Sequence, residues 1–166
     1  HRMPSLADAG LQLFFNGPEA FTPDGTFYLG EAPEVDRCFV AAGFNSVGIQ
    51  TAGGAGWVMA DWIVDGHPPM DLSGVDIRRS FPFQNDRTYL EDRISESLGL
   101  LYAMHWPFRQ YESARDIRKS ALHDALGAAG AVFGETAGWE RPNWFADKDQ
   151  VPQYEYSYGK QNWHEN

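Results

Sequence analysis

The clearest periodic signal along the chain lies between residues 55 and 66. Ala55, Val58, Met59, Trp62 and Ile63 recur at i, i+3, i+4, i+7 and i+8, which is one face of an α-helix. Asp61 and Asp65 fall on the other side, and Gly66 followed by His67-Pro68-Pro69 ends the helix. A second helix is predicted from near Asp86 to Tyr102, with Leu90, Ile94, Leu98 and Leu101 inward. Thr88 and Glu91 have the spacing of a capping box at its start. A third, short helix is predicted between Ser120 and Gly130, with Leu122, Ala125, Leu126 and Ala129 inward.

Strand patterns are shorter. Thr26 to Leu29 is aromatic and β-branched, Cys38 to Ala42 reads as a fully buried strand, and Ala131 to Glu135 is a third candidate. Met3 to Phe15 suggests a short helix followed by an apolar turn or strand. Asn16 to Gly25 holds two prolines, two glycines and an Asp-Gly pair, so it is turn chemistry. His67 to Gly74 reads as a linker and a candidate domain boundary. GWERPNWF, from Gly138, and the residues after it read as loop.

Composition narrows the picture. The 166 residues amount to about one domain. Hydrophobic residues make up 43% and charged residues 22%, as in ordinary globular chains. No apolar run approaches the roughly 20 residues of a membrane span. The opening HRMPSLADAG has neither an apolar stretch nor a cleavage pattern, so no export signal is expected in this chain. The single cysteine, Cys38, cannot form an internal disulfide and reads as a buried core thiol rather than a nucleophile. A net charge of −10 argues against a nucleic-acid partner. Arg78, Arg79, Arg109, Arg115, Arg118 and Lys119 are interleaved with acidic residues rather than clustered on one face. Trp139, Trp144, Phe145, Tyr154, Tyr156, Tyr158 and Trp163 crowd the end of the chain, and are expected to pack against a surface.

Candidate chemistry centres on GFNSVGIQTAGGAGW, residues 43–57, where five of fifteen positions are glycine. Gly43 and Gly48 have P-loop spacing, but Ile49 and Gln50 replace the lysine and hydroxyl that pattern needs. Gly54 and Gly56 begin a dinucleotide fingerprint that fails at Met59. Two readings remain. The stretch leads into a helix whose first N–H groups lack internal partners and attract an electron-rich edge, with Gly48 and Gly53 to Gly56 allowing a planar ligand to approach. Alternatively, the glycines serve a tight turn and close helix–sheet packing.

Ser120, His123 and Asp124 are all within five residues, and read as an N-cap and helix positions rather than a catalytic triad. The five histidines show no HxxxH or HExxH spacing, so no metal site is expected. Glu31 and Glu34 flank a proline loop and give no basis for glycoside chemistry.

NGPEAFTPDG, YLGEAPEV, FVAAGFNSVGIQTAGGAG, AMHWPFRQYESAR, GAVFGE and GWERPNWF occur in this order. Together they resemble the dimethylglycine/sarcosine dehydrogenase family, which includes dimethylglycine oxidases, over nearly the whole chain. The resemblance implies an α+β fold, in which the last strands and helix of an FAD-binding (glutathione-reductase-like, D-amino-acid-oxidase-like) domain are followed by a small α+β central domain. It assigns residues 1–66 to the FAD domain and 67–145 to the central domain. Residues 146–166 become an aromatic linker toward a folate-binding, aminomethyltransferase-like domain outside this chain, so the chain is expected to be an internal segment.

The resemblance also implies that Asn45, Ser46, Val47, Gly48, Ile49 and Gln50 contact FAD near the isoalloxazine ring, largely through backbone. Oriented N–H groups there stabilise the charge of a reduced flavin and favour hydride uptake from an N-methyl amine. The dinucleotide fingerprint, the histidine that links covalently to flavin and the substrate-binding residues have no counterpart here, so no catalytic residue carries over. Two strings depart from the family pattern: DIRRSF has Ser80 before Phe81, and KSAL stands at Lys119 to Leu122 where a proline is usual.

The resemblance thus implies a segment of an FAD-dependent oxidoreductase that acts on an N-methylated amino acid such as dimethylglycine or sarcosine, with tetrahydrofolate bound elsewhere. The segment works with the rest of its polypeptide or companion subunits, in the bacterial cytoplasm or mitochondrial matrix. The alternative is a non-catalytic chain of the same family, like a pyruvate dehydrogenase phosphatase regulatory subunit.

Overall fold

The structure, a computed structural model, describes residues 2–103, 109–156 and 159–164. His105, Tyr158 and part of AMHWPFRQYESAR lie outside the described residues. The fold is α+β, with two small antiparallel sheets and three helices among the described residues. β1 (Tyr28–Glu31) pairs with β2 (Phe39–Ala42), and α1 (Gly48–Asp65) follows. α2 (Arg87–Leu100) and the short α3 (His123–Ala128) precede a hairpin of β3 (Ala131–Thr136) and β4 (Trp139–Phe145). Short 3-10 turns occupy Pro4–Leu6, Ile77–Arg79 and Pro82–Asn85.

α1 buries Ala55, Val58, Met59 and Trp62 and ends at Gly66, whose φ of 76° suits glycine. Ile63, expected inward, is exposed. The core of this half joins Leu29, Ala55, Met59 and Trp62, with Phe27, Phe39, Phe44, Leu72 and Val75 packed against it. Leu29 extends the sheet by a parallel bridge to Asp76, so the segment after the linker returns to the first hairpin. Gly30 makes this packing possible. Its φ is +119°, and a Cβ there would lie 2.6 Å from the end of the Trp62 ring. Gly30→Ala is therefore expected to lower stability by about 2 kcal/mol, from backbone strain plus overpacking. Urea unfolding checks this, and an unchanged midpoint would refute it.

Several expectations are corrected. Cys38 is exposed, and the strand expected to be fully buried is not: β2 begins after Cys38 in a sheet of two strands, with Phe39 and Val40 half-buried and Ala41 and Ala42 exposed. Leu11, Leu13, Phe14 and Phe15 form no strand and stay exposed. α2 starts under Asp86, whose carboxylate accepts from the Tyr89 N–H at 3.0 Å, so no Thr88 capping box forms. Its buried face is Tyr89, Arg93 and Ser97, not the leucines, because those polar groups find partners. α3 buries none of its residues, and Leu122 is exposed.

GWERPNWF is strand rather than loop. Pro142, which has no N–H to donate, sits opposite Phe133 beside a register shift at Val132/Phe133, where a bulge tolerates it. Around this hairpin Arg118 lies 4.3 Å from the Trp139 ring centre and 4.6 Å from that of Phe81. Some of the C-terminal aromatics pack as expected: Trp144 is buried, Tyr154 meets it edge-on at 6.3 Å, and Tyr156 stacks on Tyr154 at 5.8 Å, whereas Trp139 and Phe145 stay exposed. No helix among the described residues is long and apolar enough to cross a membrane.

Candidate flavin-side site at the start of α1

The glycine-rich stretch is mostly helix. α1 begins at Gly48, so Gly53, Gly54 and Gly56 lie inside it, and added Cβ atoms there would meet nothing within 4 Å. They neither form a turn nor pack closely within this chain. The loop that shapes the site is shorter, at residues 43–47.

Gly43, Asn45 and Ser46 have φ of 66°, 48° and 66°, a left-handed run that turns β2 into the helix. Val47 is the N-cap residue, and no side chain caps the helix. The N–H of Val47 bonds the Phe44 carbonyl at 2.9 Å and that of Thr51 bonds the Val47 carbonyl at 3.1 Å. Between them the N–H groups of Gly48, Ile49 and Gln50 have no acceptor among the described residues. There is no acidic residue in the first turn to offset the positive end of the helix dipole. Ile49 is 100% exposed and Gln50 is exposed, so no side chain of this first turn packs over the helix end.

Asn45 holds the turn from beneath. It is 2% exposed. Its Oδ1 accepts from the Thr22 N–H at 2.9 Å, and its Nδ2 donates to the Thr22 hydroxyl at 3.1 Å and to the Gly43 carbonyl. The Thr22 hydroxyl donates in turn to the Thr26 carbonyl at 2.9 Å. Gly43 is required here, since a Cβ would lie 2.5 Å from the Thr22 methyl. Asp24 continues the chain of contacts, taking Arg79 Nε at 2.7 Å and Nη2 at 3.0 Å. Arg79 also bonds the Phe27 carbonyl at 3.1 Å and lies 4.1 Å from the centre of the Tyr28 ring. Thus Arg79 braces the turn before β1, which holds the loop before the helix only through Thr22 and Asn45.

Of the six residues expected to contact flavin, Ser46 and Val47 end the loop, Gly48, Ile49 and Gln50 form the first turn of α1, and Asn45 is buried beneath them. Thr22, Asp24 and Arg79 carry no sequence pattern that marks them for this site. The signal available is Gly43 two residues before Asn45, a pair suited to left-handed backbone. Thr22→Val keeps the methyl against Gly43 and removes the hydroxyl. It is expected to cost roughly 1–2 kcal/mol and to speed amide hydrogen exchange at Asn45. Unchanged exchange there would refute the bracing role.

Other candidates are less well placed. His123 Nδ1 is 3.3 Å from a solvent-exposed Asp124 carboxylate, and the Ser120 hydroxyl accepts from the Leu122 N–H instead of meeting the histidine. Asp116, His123 and Glu140 bring ligand-type atoms within 4.8 Å of one another, a grouping invisible in sequence spacing. Both carboxylates are already engaged, Asp116 by Lys119 at 2.9 Å and Glu140 by Arg115. Burial pushes the Glu140 carboxyl up, but the Arg115 guanidinium and the Asp116 N–H outweigh it and hold it below its ordinary value. A buried carboxylate so satisfied is a poor cation ligand.

The family model for an FAD dependent oxidoreductase matches residues 1–62, and that for an FAD dependent oxidoreductase central domain matches residues 65–120. Residues 1–62 and 65–120 are thus each similar to a part of the FAD dependent oxidoreductases. It is 50% identical over 161 residues to 4-methylaminobutanoate oxidase (formaldehyde-forming) of Paenarthrobacter nicotinovorans, covering 97% of this chain and 20% of that protein. It is 39% identical over 159 residues to the mitochondrial sarcosine dehydrogenase of Homo sapiens, covering 95% of this chain and 17% of that protein. It is 40% identical over 144 residues to the mitochondrial pyruvate dehydrogenase phosphatase regulatory subunit of Mus musculus, covering 87% of this chain and 16% of that protein. The chain thus spans a fifth or less of the length of these relatives.

The residues at the start of α1 fit one end of FAD. A row of free backbone donors without a nearby carboxylate suits an edge that carries negative charge. Nothing in residues 43–59 matches the glycine pattern that cradles a dinucleotide pyrophosphate.

Proposed function

We propose that this chain is the flavin-ring side of an FAD-dependent oxidoreductase that oxidises N-methylated amines. The observation that carries the reading is the uncapped start of α1, where the Gly48, Ile49 and Gln50 N–H groups are free within a segment matched by the FAD family model. The substrate class rests on the names of the relatives, two of which act on N-methyl amino acids.

FAD, when bound, supplies a two-electron acceptor for a C–H bond beside an amine nitrogen. The chain's own part is electrostatic. The three N–H groups and the positive helix end are fixed before reaction, so they stabilise developing negative charge at little reorganisation cost. Asn45 and Thr22 keep the donors in register from a buried position. Tetrahydrofolate, where it takes part, binds outside these residues, and the cytoplasm or the mitochondrial matrix is the expected setting.

The second reading, a regulatory chain without amine oxidation, is favoured by the 40% identity to the phosphatase regulatory subunit. One experiment separates the two. The intact protein is purified, its flavin absorbance recorded, and sarcosine, dimethylglycine and 4-methylaminobutanoate added without oxygen. Bleaching of the flavin band by one of them is expected. Bound flavin that none of them bleaches favours the regulatory reading, and a colourless protein removes the flavin reading altogether.

A further inference from the structure

A second cavity, apart from the start of α1, lies between the β3–β4 hairpin, residues 109–111 and the chain after Tyr154. It holds about 550 Å³ and is lined by Arg109, Tyr111, Glu135, Asn143, Trp144 and Tyr154, among others. That volume lies within the roughly 300–1,000 Å³ of small-molecule sites. Its walls are aromatic and ordered by their own contacts. Tyr154 meets Trp144 edge-on and receives a hydrogen bond from Asn143 Nδ2 at 2.7 Å. Burial pushes the Tyr111 and Tyr154 hydroxyls up, so both stay neutral and add no negative charge.

The charge in this cavity is unbalanced. Arg109 Nε is buried with no hydrogen-bond partner, and its guanidinium forms no ion pair among the described residues. The guanidinium lies 5.7 Å from the centre of the Tyr156 ring. The carboxylates that line this cavity and the smaller one on the other side of Arg109 are both committed elsewhere. Glu135 pairs with Arg93 at 2.6 Å and Asp24 with Arg79 at 2.7 Å. Trp144, 7% exposed, adds an indole N–H with no acceptor among the described residues. A partly desolvated cation among donors, with no counter-ion, is costly until an anion joins it. A carboxylate matches the fork of a guanidinium. A dianionic phosphate asks for more donors and meets a chain of net charge −10. Flat rings on the walls favour a flat, conjugated body by offset or edge stacking.

We propose that this cavity binds a carboxylate borne on a planar aromatic ring, with Arg109 as its ion-pair partner and Trp144 and Tyr154 as its walls. The site is independent of the flavin reading.

The test is a titration of the intact protein, followed by tryptophan fluorescence, with benzoate, benzamide and acetate. Benzoate is expected to give a saturable change. Benzamide, which keeps the ring and loses the charge, should bind at least tenfold more weakly, as should acetate, which keeps the charge and loses the ring. Arg109→Gln should weaken benzoate at least tenfold and leave benzamide within about twofold. Tyr154→Leu should weaken both ring probes. Equal binding of benzoate and benzamide, no saturable benzoate signal, or unchanged benzoate affinity in Arg109→Gln would each overturn the proposal. The comparison of benzoate with benzamide needs no variant, so a substitution that fails to fold leaves the test intact.

Discussion

Arg93→Met is expected to lower folding stability by about 4 kcal/mol, the loss typical of breaking one side of a buried ion pair. Arg93 is 2% exposed, and its guanidinium is the hub that joins α2 to the hairpin. Nη1 meets Glu135 at 2.6 Å, Nη2 donates to the Ser113 carbonyl at 2.7 Å and the Ala114 carbonyl at 3.2 Å, and Nε reaches the Ser113 hydroxyl at 3.3 Å. Tyr111 stacks on its charge at 4.3 Å. Methionine keeps the apolar stem but leaves the Glu135 carboxylate buried without its cation, along with orphaned carbonyls. In a chain of this size the loss corresponds to a fall in Tm of roughly 10 °C. The control is Arg93→Met with Glu135→Gln, which removes the stranded charge. It should recover about half the loss, because the two sites share one interaction. Thermal and urea unfolding read both variants. A loss under about 1 kcal/mol for the single change would mean that the pair does not hold these elements together.

The same residue shows where sequence patterns stop being informative. The leucines of α2 recur at helical spacing, yet its buried face is Tyr89, Arg93 and Ser97. Periodicity assumes that apolar residues go inside, and here polar ones do so because each finds a partner. Ser97 donates to the Pro23 carbonyl at 2.7 Å, and such long-range pairing leaves no trace in local spacing. α1 is the opposite case. Four of its residues bury as their spacing implies, and Gly66 stops it where expected. Only its start is hidden. Glycines at 53, 54 and 56 weaken a helix by roughly 1 kcal/mol each relative to alanine, and burial of the Trp62 face overrides that preference.

The candidate site is half legible in the sequence. The run from Asn45 to Gln50 stands out through its glycines and through the family resemblance. What supports it does not. Thr22 and Asp24 sit in an ordinary turn string, and Arg79 comes after a linker, in a separate family match. Only the fold brings Arg79 to Asp24 and Asn45 to Thr22, which are 55 and 23 residues apart in sequence. That Arg109 has no ion pair among the described residues is likewise a property of the whole fold. Nothing local distinguishes it from Arg115, which has Glu140.

Ile49→Pro is the substitution that separates the chemistry of the α1 start from its architecture. The Ile49 N–H has no acceptor among the described residues, so removing it costs the helix no hydrogen bond. Proline suits the first turn, where its fixed φ is already helical. The residue before proline usually resists helical backbone because its N–H and Cβ crowd the proline ring, and that residue is Gly48, which lacks the Cβ and so eases the clash. The isoleucine side chain is fully exposed, so little packing is lost. Stability should therefore change by less than about 1 kcal/mol. If the free donors stabilise negative charge on a bound flavin, the loss of one should slow amine-dependent flavin reduction by about 10²- to 10³-fold, the effect of removing one preorganised donor. Rapid mixing of the intact protein with amine, without oxygen, measures it, and unfolding curves run alongside. Ile49→Ala, which keeps the N–H, should reduce flavin at the parent rate. A proline variant within about threefold of the parent, against the far larger loss expected for a preorganised donor, would show that these amides take no part in the chemistry, however well their geometry suits it.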